Sequence, residues 1–177
     1  MDIQLSIATP ESVADWLPLF TAYLDFYRVS QPPEACQEYL SERLRRRQAV
    51  AFLARRGDTP LGFALMYTGF SSLSLQPCWV LHDLYVASAS RQEGVGKMLI
   101  LRCQQYARDQ GGGEIMLQTA HDNLNAQRLY ESLGFAMDRD FRVYYSRLLL
   151  EQPPFLTLHA RCGMLAPPLV NRRRSPP

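Results

Sequence analysis

Apolar and polar residues alternate at the start of the chain, with Ile3, Leu5 and Ile7 set against Asp2, Gln4 and Ser6. A period of two predicts a strand over residues 2–7 with one buried face. The period then lengthens. Val13, Trp16, Leu17, Phe20, Leu24 and Tyr27 fall on one stripe of a helix entered through Thr9-Pro10-Glu11. Thr9 is the candidate cap there, and Pro10 is allowed in a first turn. Pro18 inside the stripe predicts a kink or break, and Gln31-Pro32-Pro33 ends the segment. A second helix is expected over residues 34–47, with Leu40 and Leu44 inward and Glu42, Arg43, Arg45, Arg46 and Arg47 on its polar face.

Two strands are expected next, over 49–55 and 61–67, joined by Gly57-Asp58-Thr59-Pro60, a hairpin signal. Phe70-Ser71-Ser72 reads as loop and the apolar run 78–86 as a central strand. The Gly-containing segment 91–96 leads into a helix with Met98, Leu99, Leu101, Cys103 and Tyr106, stopped by Gly111-Gly112-Gly113. A strand over 114–119, a helix over 123–133 ending at Gly134, and a closing strand over 141–149 complete the pattern. This order predicts an α/β (α+β) fold with a mixed, largely antiparallel sheet.

Composition narrows the function classes. The chain has 177 residues, 47% hydrophobic and 20% charged, which suits one globular core. Residues 1–150 are read as the domain and 151–177 as an irregular Pro- and Arg-containing tail. The net charge of +2 is carried by that tail, where Arg161, Arg172, Arg173 and Arg174 outnumber Glu151. The remainder is near neutral, so no nucleic-acid partner is expected. No 18-residue apolar run and no signal-like start occur, so no membrane association is expected and a cytoplasmic location follows by default. Cys36, Cys78, Cys103 and Cys162 lack CxxC spacing and a His cluster, and are read as reduced thiols with no metal site.

The chemistry concentrates after the central strand. Arg91-Gln92-Glu93-Gly94-Val95-Gly96 opens a helix, whose first amides lack backbone partners and carry partial positive charge. A diphosphate accepts those bonds, and glycine allows it close. Arg91 and Lys97 add charge at the rim. The spacing is not a Walker loop, because residue 91 is Arg and residue 98 is Met. It is not a dinucleotide fingerprint either, because residue 99 is Leu. A glycine turn that merely caps a helix is the competing reading.

Upstream stands His82-Asp83-Leu84-Tyr85-Val86, and downstream Asn123-x-x-Ala126-x-x-Leu129-Tyr130-Glu131-x-Leu133-Gly134-Phe135. Together with Arg91-x-x-Gly94-x-Gly96, these motifs resemble the GNAT superfamily of acetyltransferases over roughly residues 3–149. They come nearest to its bacterial small-amine and diamine members. The resemblance implies a sheet of six to seven strands flanked by about four helices, with acetyl-CoA as co-substrate. It implies that the backbone from Gln92 to Lys97 holds the CoA diphosphate and that Leu84, Tyr85 and Val86 run beside the pantetheine arm. Asn123 and Ala126 would contact CoA. Tyr130 would sit near the thioester sulfur as general acid. Gln92 departs from the family, which commonly has Gly there.

The implied reaction passes acetyl directly to an amine, which must attack as a free base. His82 is the candidate base, since imidazole is largely neutral at physiological pH. A purely structural, hydrogen-bonded His82 is the alternative. The diamine branch usually has Glu-Asp where His82-Asp83 stands. The change keeps a proton acceptor but removes a negative charge, which weakens the case for a polyamine while leaving polyamine, amino acid, aminated antibiotic and protein amine open as acceptors. Asp83 would attract a cationic amine or serve as a strand-end hydrogen-bond partner. Strand alternation sends neighbours to opposite faces, so His82 and Asp83 share a site only if the strand bulges. The acceptor pocket is assigned to Phe26, Tyr27 and Tyr67 with Asp83, flanked by Tyr23, Asp25, Phe70, Ser71 and Ser72. A small-molecule amine is the leading acceptor. A protein lysine or N-terminus, or a non-catalytic acyl-CoA-binding module, are the alternatives. Many relatives dimerise, which makes a homodimer an expectation by resemblance only.

Overall fold

A computed structural model describes residues 2–146. In chain order the elements are β1 (Gln4–Ile7), α1 (Val13–Phe26), α2 (Pro33–Arg45), β2 (Ala49–Arg56), β3 (Thr59–Ser71), β4 (Gln76–Val86), α3 (Val95–Asp109), β5 (Glu114–Leu117) and α4 (Leu124–Ser132). The five strands form one sheet in sequence order. β1 to β4 pair antiparallel, and β5 joins β4 in parallel after the α3 crossover.

Both faces of the sheet are covered, as the unbroken burial of residues 49–54 in β2 requires. Val50, Phe52 and Ala54 face α3, which returns Val95, Leu99, Ile100, Cys103 and Ala107 at helical spacing. Ala49, Ala51 and Leu53 face the other way, with Phe63 and Leu65 of β3, against Trp16, Tyr23 and Leu40 of α1 and α2. Trp16 and Phe63 are fully buried with ring centres 5.2 Å apart. Truncating either ring would cost about 3–5 kcal/mol.

The elements differ from the sequence expectation in four places. α1 runs unbroken through Pro18. Ala14 and Pro18 both face solvent while Trp16, Leu19 and Tyr23 are buried, so water can satisfy the carbonyl that loses its partner. Thr9 caps a turn ahead of the helix: Thr9 N–H donates to Ser12 Oγ at 3.0 Å and Ser12 N–H to Thr9 Oγ1 at 3.3 Å. The β3–β4 hairpin is longer than expected, with Phe70 and Ser71 inside β3 and the ladder reaching Ser71 opposite Gln76. The expected closing strand over 141–149 is absent from residues 141–146, which are exposed, and 147–149 lie outside the described residues. The sheet therefore has five strands among the described residues, not six to seven. A strand is stable only when paired, and the described part of this segment touches the β5 end through one bond, Tyr145 Oη to Gln118 Oε1 at 2.6 Å. The expected tail, 151–177, also lies outside the described residues.

Candidate active site

The site begins where β4 stops following its neighbours. Leu65 pairs with Asp83 and Met66 with Leu81, so His82 is an extra residue in β4. A bulge of this kind leaves one residue unpaired and resets the alternation. Before it, Trp79 and Leu81 face α3; after it, Leu84 and Val86 do. Tyr85 packs on the opposite, α1 side. His82 and Asp83, on either side of the reset, consequently share the α1–α2 face.

The same bulge ends the contact with β5. Their parallel ladder runs only from Cys78–Glu114 to Leu81–Leu117. Beyond it, Leu84, Tyr85 and Val86 pair with Ala64, Phe63 and Gly62 of β3 on one edge, and no strand pairs with the other edge among the described residues. Ala87 N–H donates to Leu61 O at 2.8 Å. Peptide groups alternate in direction along an antiparallel ladder, so those of Leu84 and Val86 point into the gap. Gly62 sits beneath this stretch, where a Cβ would lie 2.6 Å from Tyr85 O.

Past the gap comes the turn into α3. Gln92 has φ 66° and Gly94 φ 81°, both left-handed. No hydrogen bond within the described residues takes up the amides of Gln92, Glu93, Gly94, Val95, Gly96 and Lys97. Left-handed residues beside a helix start turn successive amides toward one concavity, which suits an anion. A Cβ on Gly96 would stand 3.4 Å from Leu129 Cδ2 and 3.8 Å from Val86 Cγ2, so glycine lets α3, α4 and β4 meet here. The side chains of the turn do not all face the amides. Arg91 Nε donates to Val86 O at 3.3 Å, with the guanidinium 6.0 Å from the Tyr85 ring centre. Glu93 is ion-paired with Arg56 at the end of β2. Lys97 is exposed.

α4 closes the other wall of the gap. Asn123 caps it, accepting from Ala126 N–H at 3.3 Å and donating to Thr119 Oγ1 at 3.3 Å. Tyr130 is half-buried with its ring 5.9 Å from Phe135. Burial, and secondarily the neighbouring Tyr27, pushes its phenol up to about 12.

On the α1–α2 face, Asp83 is only 6% exposed. Tyr23 Oη donates to Asp83 Oδ1 at 2.6 Å, and His82 Nδ1 lies 2.9 Å from the same oxygen. Burial, and then the Asp83 charge, raise the Tyr23 phenol far above its usual range. The Tyr67 ring stands edge-on to His82 at 5.1 Å, and Tyr67 Oη meets Tyr39 Oη at 3.4 Å. Phe26 and Tyr27 pack edge to face at 5.2 Å and remain partly open to solvent. Burial and the Asp83 charge raise the Tyr27 phenol. His82, Asp83, Tyr23, Tyr27 and Tyr67 are thus gathered with Tyr130 nearby. Phe70, 83% exposed, and Ser71 and Ser72 lie instead toward the hairpin tip. Tyr39 and Arg56 were not singled out from the sequence. Tyr39 lies on a helix face that reads as polar, and Arg56 reaches Glu93 only through the fold.

Four matches to known proteins bear on this arrangement. The family described as "Acetyltransferase (GNAT) family" matches residues 16–135. The "Uncharacterized N-acetyltransferase YhfO" of Bacillus subtilis is 34% identical over 128 residues, covering 72% of this chain and 85% of that protein. The "Aminoglycoside N(6')-acetyltransferase type 1" of Serratia marcescens is 31% identical over 147 residues, covering 81% of this chain and 97% of that one. A crystal structure of a probable acetyltransferase superimposes with a TM-score of 0.79 at 37% identity, covering 84% of this chain and 99% of the other.

Proposed function

This chain belongs to the acetyltransferase (GNAT) family, and on that premise we propose that it moves acetyl from acetyl-CoA directly to a primary amine of a small molecule. The observation that carries the reading is the bulge at His82, beyond which β4 no longer pairs with β5, so that His82 stands beside the opening. The outward peptide groups of Leu84 and Val86 suit the amides of pantetheine, which would run along Tyr85 as an added strand. The amides from Gln92 to Lys97 suit the diphosphate, with Arg91 and Lys97 at its rim. Asn123 and Ala126 hold the start of α4 against the same arm.

An alkyl amine with pKa about 10.4 is protonated at neutral pH, and freeing it costs roughly 4 kcal/mol. His82 takes that proton, and the freed nitrogen lone pair bonds to the thioester carbonyl carbon as the C=O π pair moves onto oxygen, to return when the leaving group departs. The C–S bond then breaks and its electron pair stays on sulfur. Tyr130 gives its phenol proton to the developing thiolate, and the phenolate takes the second proton of the acylated nitrogen, which leaves a neutral amide, a free thiol and the phenol restored. A phenol held near 12 keeps its proton across the working range, so it is always ready to donate. Cys103 is fully buried and its thiol is pushed up to about 12, which supports transfer without a cysteinyl intermediate.

Phe26, Tyr27 and Tyr67 form the acceptor wall, and Asp83 supplies negative potential that draws a cation toward it. The relative named for aminoglycoside acetylation supports a small-molecule amine of that kind as the acceptor. Residues 1–150 are proposed as the active domain. The test is calorimetry with acetyl-CoA, followed by a panel of aminoglycosides, polyamines, amino acids and a lysine peptide with thiol release as readout. Tyr130→Phe is expected to bind CoA normally and to lose about 10²-fold or more in turnover. No uptake of acetyl-CoA at millimolar concentration would overturn the assignment.

A further inference from the structure

The buried carboxylate behind His82 has a more specific role than its charge. Asp83 Oδ1 receives Tyr23 Oη–H at 2.6 Å and faces His82 Nδ1 at 2.9 Å. A carboxylate offers only lone pairs, so the proton in each contact belongs to the partner. The raised phenol of Tyr23 agrees, because that group holds its proton. With Nδ1 carrying a hydrogen, a neutral imidazole has its lone pair on Nε2. Asp83 is 6% and Tyr23 5% exposed, so the pair lies largely out of solvent. The bulge that places both residues on one face is what allows adjacent strand positions to bond side chain to side chain.

We propose that Tyr23, Asp83 and His82 form a relay in which Asp83 is a positioning residue, fixing His82 as the Nδ1–H tautomer and steadying the imidazolium formed when Nε2 takes the amine proton. The proposal rests on the acetyl-transfer reading for its chemistry. In the step, the amine N–H bond breaks, the Nε2–H bond forms, and the nitrogen pair goes to the carbonyl carbon. Tyr23 limits how far the carboxylate leans on His82, because two donors share one oxygen. Among the described residues, the titratable or charged groups on the elements near His82 include Tyr67 on β3 with Tyr39 and Arg43 of α2 behind it, Tyr27 just past α1, and Tyr130 on α4. Tyrosines stay neutral in the acidic range and do not set its pH dependence.

The relay predicts shifts of opposite sign. Asp83→Asn removes the negative charge from the imidazolium, so the acidic limb of kcat/KM moves to lower pH. Its amide N–H also favours the wrong tautomer, so kcat falls about 10²-fold while the KM for acetyl-CoA stays within about twofold. Tyr23→Phe leaves Asp83 with one donor fewer, so the limb moves to higher pH. A merely structural loss would move neither limb in this paired way. Nitrogen-15 NMR of the three histidines, with His82→Gln for assignment, reads the tautomer in the free protein whether or not turnover is found. His82 as the Nδ1–H form in wild type and Nε2–H in Asp83→Asn is the expected result. An Nε2–H wild-type ring, or limbs that shift together in both variants, would overturn the relay. If Asp83→Asn does not fold, Tyr23→Phe and the wild-type tautomer decide alone. Failure to take up acetyl-CoA would instead remove the transfer reading and leave the tautomer result standing by itself.

Discussion

At the scale of single residues, the turn into α3 carries two costs. Gln92 adopts φ 66°, a conformation that costs an L-residue roughly 1–2 kcal/mol. A left-handed backbone is a reason for the glycine that the family resemblance implies at this position, and the motif alone showed the departure without its cause. Gln92→Gly should therefore raise stability by up to about 1 kcal/mol after the extra freedom of the unfolded chain is deducted. Chemical denaturation would show it, with CoA affinity unchanged because the contact is through the amide. The second cost is the Glu93 carboxylate beside the proposed diphosphate site. Arg56 neutralises it across the fold. Arg56→Ala should weaken CoA binding about three- to tenfold, and adding Glu93→Gln should restore most of it. A double variant as weak as Arg56→Ala would mean that Arg56 acts on CoA directly.

At the scale of elements, the legible parts are those where periodicity and local chemistry agree. β2, α3 and α4 lie within a few residues of their expected places because alternation, helical stripe and glycine stops all coincide there. The bulge at His82 was not legible, because nothing in Leu81-His82-Asp83-Leu84 marks which residue steps out of register. Without it, His82 and Asp83 would have pointed apart. Pro18 signals a kink or a break, and the buried stripe of Trp16, Leu19 and Tyr23 holds α1 continuous across it, which excludes the break. Helix-interior proline costs about 3 kcal/mol relative to alanine, less the freedom alanine regains when unfolded. Pro18→Ala is thus expected to stabilise the protein by about 2 kcal/mol, seen as a higher melting temperature. No gain would mean that the α1 backbone already accommodates the ring without losing a bond.

At the scale of the whole molecule, the sheet carries helices on both faces, and the tyrosines of α1 and α4 converge at the open end between them. Tyr23, Tyr27 and Tyr130 all hold their protons more tightly than in the unfolded chain, chiefly through burial. An acid whose folded pKa is raised binds more protons folded than unfolded once pH passes the unfolded value near 10. Its contribution is fully present below that value and is lost as pH rises through the folded pKa. For Tyr130 the window runs from about 10 to about 12, with a slope of up to about 1.4 kcal/mol per pH unit. Melting temperature should fall across that window, and more gently in Tyr130→Phe, whose ring stays in place without a phenol to ionise. The same pKa puts Tyr130 out of reach of any alkaline limb in turnover below pH 10, so such a limb should survive in the residual activity of Tyr130→Phe. Identical melting slopes for the two proteins would mean that the phenol is solvated in the free enzyme. The gap between β4 and α4 would then be wetter than the burial of Tyr130 implies, and the thiolate would leave into water and not against a held proton donor.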